Sequence, residues 1–177
     1  MKYKLYKALW MIIWNILIRP FPRKSASKFE GMVLRLLGAK IGKNCDIYSS
    51  AKILVPYNLV LGDKVTLADR VLIQNTAKVT IKSNSIISQG TYICAGSHNI
   101  YSRKFENVRK PITIGENVWI AAQCFIAPGV TIGDGAVAGA CSCIFRNVEP
   151  WTVVGGNPAK FIKERILMDV NGGGGKS

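Results

Sequence analysis

Residues 114–132 read Ile-Gly-Glu-Asn-Val-Trp-Ile-Ala-Ala-Gln-Cys-Phe-Ile-Ala-Pro-Gly-Val-Thr-Ile. An isoleucine stands at every sixth position, Ile114, Ile120, Ile126 and Ile132, and a small or β-branched residue follows four places after each: Val118, Cys124, Val130 and Ala136. A period of six matches neither the 3.6 of an amphipathic helix nor the alternation of a long strand. It fits a short strand followed by a corner. Three such units close one triangular turn of a parallel β-helix whose aliphatic side chains stack inside.

Outward from this stretch the frame extends over most of the chain. Upstream it runs through Ile41, Ile47, Ile53 and Leu59, then Leu61, Leu67, Ile73 and Val79, then Ile81, Ile87 and Ile93. Downstream it continues to Ala138 and Ile144. The four-later positions are Cys45, Ala51, Val65, Val71, Ala77, Ser85, Thr91, Ser97 and Ser142, with Tyr57 as the bulky exception. Two slips of two residues, at Leu59/Leu61 and Val79/Ile81, give coils of 20; a longer interruption, 99–113, falls at the same corner, after which the coils have 18. Gly42, Gly62, Gly115 and Gly133 directly follow an aliphatic, where a tight bend excludes a large side chain. The expectation is a mainly β chain: about five coils over 41–150, a helical segment over 1–40, an extension over 151–170 with a short C-terminal helix, and a flexible tail over 171–177.

Composition limits the partners. The chain has 177 residues, 49% hydrophobic and 19% charged, too apolar for disorder and sized for one domain. Its net charge of +14 favours anionic company. Residues 1–40 hold nine basic residues and one acid. Within them an apolar run of 11 residues, 8–18, carries Trp10 and Trp14 between lysines and arginines, short of the roughly 20 residues a membrane span needs. Arg19-Pro20-Phe21-Pro22-Arg23 stands where a signal peptide would carry its small-residue cleavage site, so export is not expected. The segment 1–24 reads either as an interfacial anchor on anionic lipid or as a helix packed on the domain or a neighbouring subunit. A second helix is expected over 29–37, stopping at Gly38. Five cysteines without a C-x-x-C suggest neither a disulfide framework nor a metal site, and small buried thiols are expected. No zinc-finger, RNP or recognition-helix pattern accompanies the positive charge, so nucleic acid is not an expected partner.

The pattern [LIV]-[GA]-x-x-[STAVC]-x over about 110 residues, the string from Pro111 to Ile120 and the segment from Val153 to Ala159 resemble the hexapeptide-repeat acyltransferases. They are similar to the galactoside, maltose and nodulation O-acetyltransferase branch. Trp151 to Ala159, with Ala39-Lys40-Ile41-Gly42, is closer still to acetyltransferases of colanic-acid and other polysaccharide clusters. The resemblance implies a left-handed coil and a homotrimer; the general rule for parallel crossovers would have given the right hand. It implies transfer of acetyl from acetyl-CoA, without a metal, to a sugar hydroxyl in surface-polysaccharide assembly by a cytoplasmic protein, and the anchor reading of 1–24 would set that protein against the inner face of the membrane. An amino-sugar N-acetyltransferase and a non-enzymatic β-helix scaffold are the alternatives.

His98 is the single histidine, at the last and outward position of the Ile93 unit, beside the interruption. The resemblance makes it the general base, with an exposed bystander as the bland alternative. A histidine, with an ordinary pKa of roughly 6.5, can accept a hydroxyl proton near neutral pH. The family's oxyanion donor is a backbone amide, here that of Ala122, and its CoA-contacting positions are here Trp119, Ala140, Lys160 and Lys163. Trp119 could equally be covered between subunits, and the lysines could be a solvated face. Asn75 stands where the relatives hold an acceptor-contacting Asn, and a structural corner amide is the other reading. Tyr101, Arg103 and Arg109 are candidates for a wall of the acceptor pocket.

Overall fold

The computed structural model describes residues 9–18 and 27–167. The first coil comprises β1 (Lys40–Ile41), β2 (Asp46–Ile47) and β3 (Lys52–Ile53); the second β4 (Leu59–Leu61), β5 (Thr66–Leu67) and β6 (Leu72–Gln74); the third β7 (Val79–Ile81), β8 (Ile86–Ile87) and β9 (Tyr92–Cys94). A hairpin, β10 (Gly96–His98) and β11 (Asn107–Arg109), then leaves the coil. The fourth coil is β12 (Ile112–Ile114), β13 (Trp119–Ile120) and β14 (Phe125–Ile126); the fifth is β15 (Thr131–Ile132), β16 (Val137–Ala138) and β17 (Cys143–Ile144). β18 (Thr152–Gly155) opens a sixth, and β19 (Lys160–Glu164) returns beside it. The result is a left-handed parallel β-helix with three walls. The first wall is β1-β4-β7-β12-β15, the second β2-β5-β8-β13-β16-β18-β19, and the third β3-β6-β9-β14-β17.

The sixfold frame maps onto the interior. Ile47, Leu67, Ile87, Ile120 and Ala138 stack along the second wall, and Ile53, Ile73, Ile93, Ile126 and Ile144 along the third, all buried. Pairing of Leu61 with Ile81 spans 20 residues and that of Ile114 with Ile132 spans 18, so the extra residues sit at the corner between the third and first walls. A 3-10 turn, Pro56–Asn58, fills that corner in the first coil. Ser97 departs from its expected inward place and is exposed, because the chain has already left the coil as β10. The interruption is thus an ordered antiparallel hairpin.

Coils approach closely at the glycine corners. A Cβ on Gly42 would lie 2.4 Å from the Gly62 carbonyl oxygen, and one on Gly133 2.4 Å from the Pro150 nitrogen. The neighbouring coil's backbone therefore enforces glycine there.

The expected C-terminal helix is corrected: residues 160–164 form β19, antiparallel to β18, with Phe161 opposite Val154. β18 would otherwise end the second wall with unpaired backbone groups, and the returning chain satisfies them, overriding local helix preference. The 171–177 tail lies outside the described residues.

Two helices close the other end. α1 covers residues 9–18, its last five, Trp14–Ile18, in a π-helical turn; α2 is Ser27–Leu36. Residues 1–8 and 19–26 of the front segment lie outside the described residues. Trp10 and Trp14 are buried with ring centroids 5.0 Å apart, and the Trp10 indole N–H donates to the Ile53 carbonyl at 2.6 Å. The packed-helix reading holds for both tryptophans. Leu34 and Glu30 face the same interior. Burial, and secondarily the charge of Asp46, push the Glu30 carboxyl up to about 8. Cys94 and Cys124 are buried as expected, whereas Cys141 is exposed, and no described cysteine is in a disulfide.

Two predictions follow from this packing. Ile87→Ala costs about 2–5 kcal/mol in chemical denaturation, whereas Ile86→Ala, on the outer face of the same strand, costs under about 1 kcal/mol. Between about pH 4.5 and 8 the folded chain keeps a proton on Glu30 that the unfolded chain has released. Glu30's contribution to stability therefore falls as pH rises through that window, and Glu30→Gln removes this slope from melting-temperature profiles.

Candidate active site

The hairpin carries His98 away from the core. β10 and β11 pair His98 with Asn107, and the imidazole is exposed. Its Nδ1 lies 2.5 Å from the Phe105 carbonyl oxygen. A carbonyl can only accept, so in the neutral ring Nδ1 holds the hydrogen and donates it, which leaves the Nε2 lone pair free. A group held this way can take a proton at Nε2 without changing its orientation.

Clefts lie on both sides of the hairpin. One, of about 410 Å³, is lined by Gln74, Thr76, Tyr92, Cys94, His98 and Arg109. The other, of about 280 Å³, is lined by His98, Tyr101, Lys110 and Pro128 among others. In the larger cleft Gln74 accepts from the Tyr92 hydroxyl. Burial, followed by the neighbouring Cys94, pushes the Tyr92 phenol up to about 12, so it stays protonated and keeps the hydrogen it donates to Gln74. The Thr76 hydroxyl is buried without a protein partner. Polar side chains and the imidazole thus line one cleft. Of the three loop residues considered for a pocket wall, Arg109 and Tyr101 each line a cleft, and Arg103 lines neither. Gln74, Thr76 and Tyr92 were not anticipated. Their one signal was position, since Gln74 and Thr76 lie just before the frame slip one coil below the interruption.

The remaining candidates cluster on the second wall and the corner after it. Strand pairing aligns Ile86, Trp119, Val137, Val153 and Lys163 in one outer row. Trp119 is 48% exposed, its indole N–H donating to Ser88 Oγ at 3.0 Å, which fixes the ring plane. With strands about 4.8 Å apart, Trp119 and Lys163 lie roughly 14 Å from each other along the row. Lys160 pairs with Gly155 on the same edge, and both lysines are exposed. Ala122 and Ala140 occupy successive turns of the corner between the second and third walls. The Ala122 carbonyl accepts from Cys141 N–H, while its own N–H donates to no acceptor among the described residues.

Asn75 is corrected. Its side chain is fully buried: Oδ1 accepts from Val55 N–H at 2.9 Å, and Nδ2 donates to the Val55 carbonyl at 2.6 Å. Both ends of the amide hold the corner one coil below, and burial leaves no atom of it exposed to an acceptor. No cluster of three or more potential metal ligands occurs among the described residues.

Comparison with known proteins adds independent findings. A family model described as bacterial transferase hexapeptide (six repeats) matches residues 111–146. A protein of Escherichia coli assigned as the colanic acid biosynthesis acetyltransferase WcaF is 46% identical over 139 residues, covering 78% of this chain and 76% of its own. The crystal structure of a maltose O-acetyltransferase from Clostridium difficile 630 superposes with a TM-score of 0.84 at 26% identity, covering 93% of this chain and 89% of that one. A galactoside acetyltransferase in complex with coenzyme A gives 0.80 at 26% identity, covering 92% and 80%.

Asn75→Ala leaves two buried backbone groups of Val55 unpaired, and a stability loss of about 2–4 kcal/mol is expected in denaturant titration.

Proposed function

The chain belongs to the hexapeptide-repeat acetyltransferases, and from that membership we propose that it transfers acetyl from acetyl-CoA to a sugar hydroxyl, with His98 as general base. The observation that carries this reading is the hydrogen bond from His98 Nδ1 to Phe105, which leaves the Nε2 lone pair free on a residue that lines a polar cleft. Similarity to a relative assigned to colanic acid biosynthesis supports surface polysaccharide as the destination.

The chemistry runs as follows. His98 Nε2 takes the acceptor hydroxyl's proton as the oxygen attacks the thioester carbonyl carbon. The carbonyl π electrons move to oxygen, and the Ala122 N–H donates to the resulting oxyanion. Collapse breaks the C–S bond, and the imidazolium returns its proton to the departing CoA sulfur. The products are the acetyl ester and free CoA. Trp119 and the exposed row toward Lys163 suit the pantetheine, and Lys160 with Lys163 suits a phosphate as point charges.

A single protomer does not complete this site. Ala122 lies at the corner between the second and third walls, and the His98 hairpin leaves the corner between the third and first. Ala122 precedes β14 of the third wall and Pro128, which lines a cleft beside His98, follows it, so the width of that wall lies between them. The base of one subunit therefore works with the amide of the next, which supports a homotrimer.

His98→Ala is expected to lower kcat by about 10²- to 10⁴-fold while acetyl-CoA still raises the melting temperature. Unchanged turnover in a CoA-release assay, run against nucleotide sugars, lipid-linked sugars, glycosides and amino sugars, contradicts the assignment. Ala122→Pro deletes the donor N–H alone, because Gln123 has φ +59° after it just as Gly129 has +86° after Pro128, a turn that accepts proline. Mixing and refolding the two inactive variants together is expected to restore part of the activity, because some interfaces then pair an intact His98 with an intact Ala122.

A further inference from the structure

With Trp10 and Trp14 buried, α1 turns a different face outward. Leu9, Ile12 and Ile16, spaced by three and four residues, are each more than half exposed. α2 repeats the pattern: Glu30 and Leu34 point inward, and Phe29, Met32 and Leu36 point out, Leu36 at 79% exposure. Two neighbouring segments at the same end of the β-helix thus present apolar stripes, although their inner faces already satisfy the core. Neither stripe is needed to close the first coil.

Charge selects the occupant. Nine basic residues and one acid lie within residues 1–40, and the one acid, Glu30, is buried inward with its carboxyl pushed up to about 8. In the sequence Lys2, Lys4 and Lys7 precede α1 and Arg19, Arg23 and Lys24 follow it, against one charged neighbour of Glu30, Asp46. A second copy of the same basic face would be repelled by it. An anionic lipid surface offers both the apolar depth and the counter-charge. No helix among the described residues is long and apolar enough to cross a membrane.

We infer that the helical end of the β-helix is an anionic-membrane docking face, with Leu9, Ile12 and Ile16 of α1 and Met32 and Leu36 of α2 entering the headgroup boundary. The tryptophans anchor α1 to the protein rather than to lipid. This inference stands apart from the acetyl-transfer reading, since the stripes contain none of the residues assigned to the reaction.

The test is flotation of the full-length protein with vesicles of phosphatidylcholine alone or with about one third phosphatidylglycerol. Flotation is expected with the anionic vesicles only, weakening at about 0.5 M salt as screening shortens the reach of the lysines. Ile12→Ser with Ile16→Ser, and separately Met32→Ser with Leu36→Ser, are expected to cut the bound fraction at least about tenfold. Circular dichroism and the acetyl-CoA melting shift should stay unchanged, because these side chains project to solvent. Lys2→Gln, Lys4→Gln and Lys7→Gln combined provide a charge-only variant expected to weaken binding with the apolar stripes intact. The inference is overturned by three results: absence of flotation with anionic vesicles, equal flotation with neutral ones, or concentration-dependent assembly in sedimentation velocity that the serine variants abolish. The last would assign the stripes to contact between copies.

Discussion

Coil-to-coil hydrogen bonding, continued through the corners as well as the strands, is the constraint on which the rest of this structure rests. Lys64 donates its N–H to Lys43, Asn84 to Asp63, Asn117 to Ser83, Gly135 to Glu116 and Trp151 to Asp134, each across one coil. Every one of these donors has a positive φ, and only one is glycine. Left-handed backbone disfavours a lysine or a tryptophan. The bond to the coil below offsets that strain, so corner identity matters less than corner geometry.

That regularity determines where variation is tolerated. The strand spacing of about 4.8 Å leaves no space for extra chain inside a wall, and the glycine contacts leave none at the corner between the first and second walls. Additional residues are confined to the corner between the third and first walls, and the chain uses it three times: for the Pro56–Asn58 turn, for the Asn75 corner and for the hairpin that bears His98. The His98 side chain is thereby lifted off a rigid scaffold without disturbing the stack beneath it. Asn75 belongs to the support of this arrangement, filling with its amide the hydrogen bonds that the altered corner leaves open.

The C-terminal end obeys the same demand for pairing. β19 covers the edge of β18, and Arg165 donates to the carbonyls of Asn117 and Gly135 at 2.8 Å each, with its guanidinium over the Trp151 ring. The N-terminal end is closed by side chains, with the Trp10 indole reaching the carbonyl of Ile53. One end therefore stops the ladder with backbone and the other with helices, and both leave apolar side chains outward, Phe161 and Ile162 at the first and Ile16 and Leu36 at the second.

The sixfold spacing of Ile114, Ile120, Ile126 and Ile132 was sufficient to specify the coil, its inward residues and the corner that absorbs insertions, because burial at a fixed period is a local property of the chain. It also set His98 on the outside. The role of Asn75 was not legible: an amide at a corner has the same sequence signature whether it faces a ligand or a backbone one coil away. The C-terminal hairpin was hidden for a similar reason, since β19 forms only where β18 offers unpaired groups. The tautomer of His98, the company of Gln74, Thr76 and Tyr92, and the separation of Ala122 from His98 depend on contacts between residues many positions apart in the chain. Periodicity thus determined the scaffold and its outward positions. Which groups meet was decided by the stacking of coils, because stacking alone converts distance along the chain into adjacency.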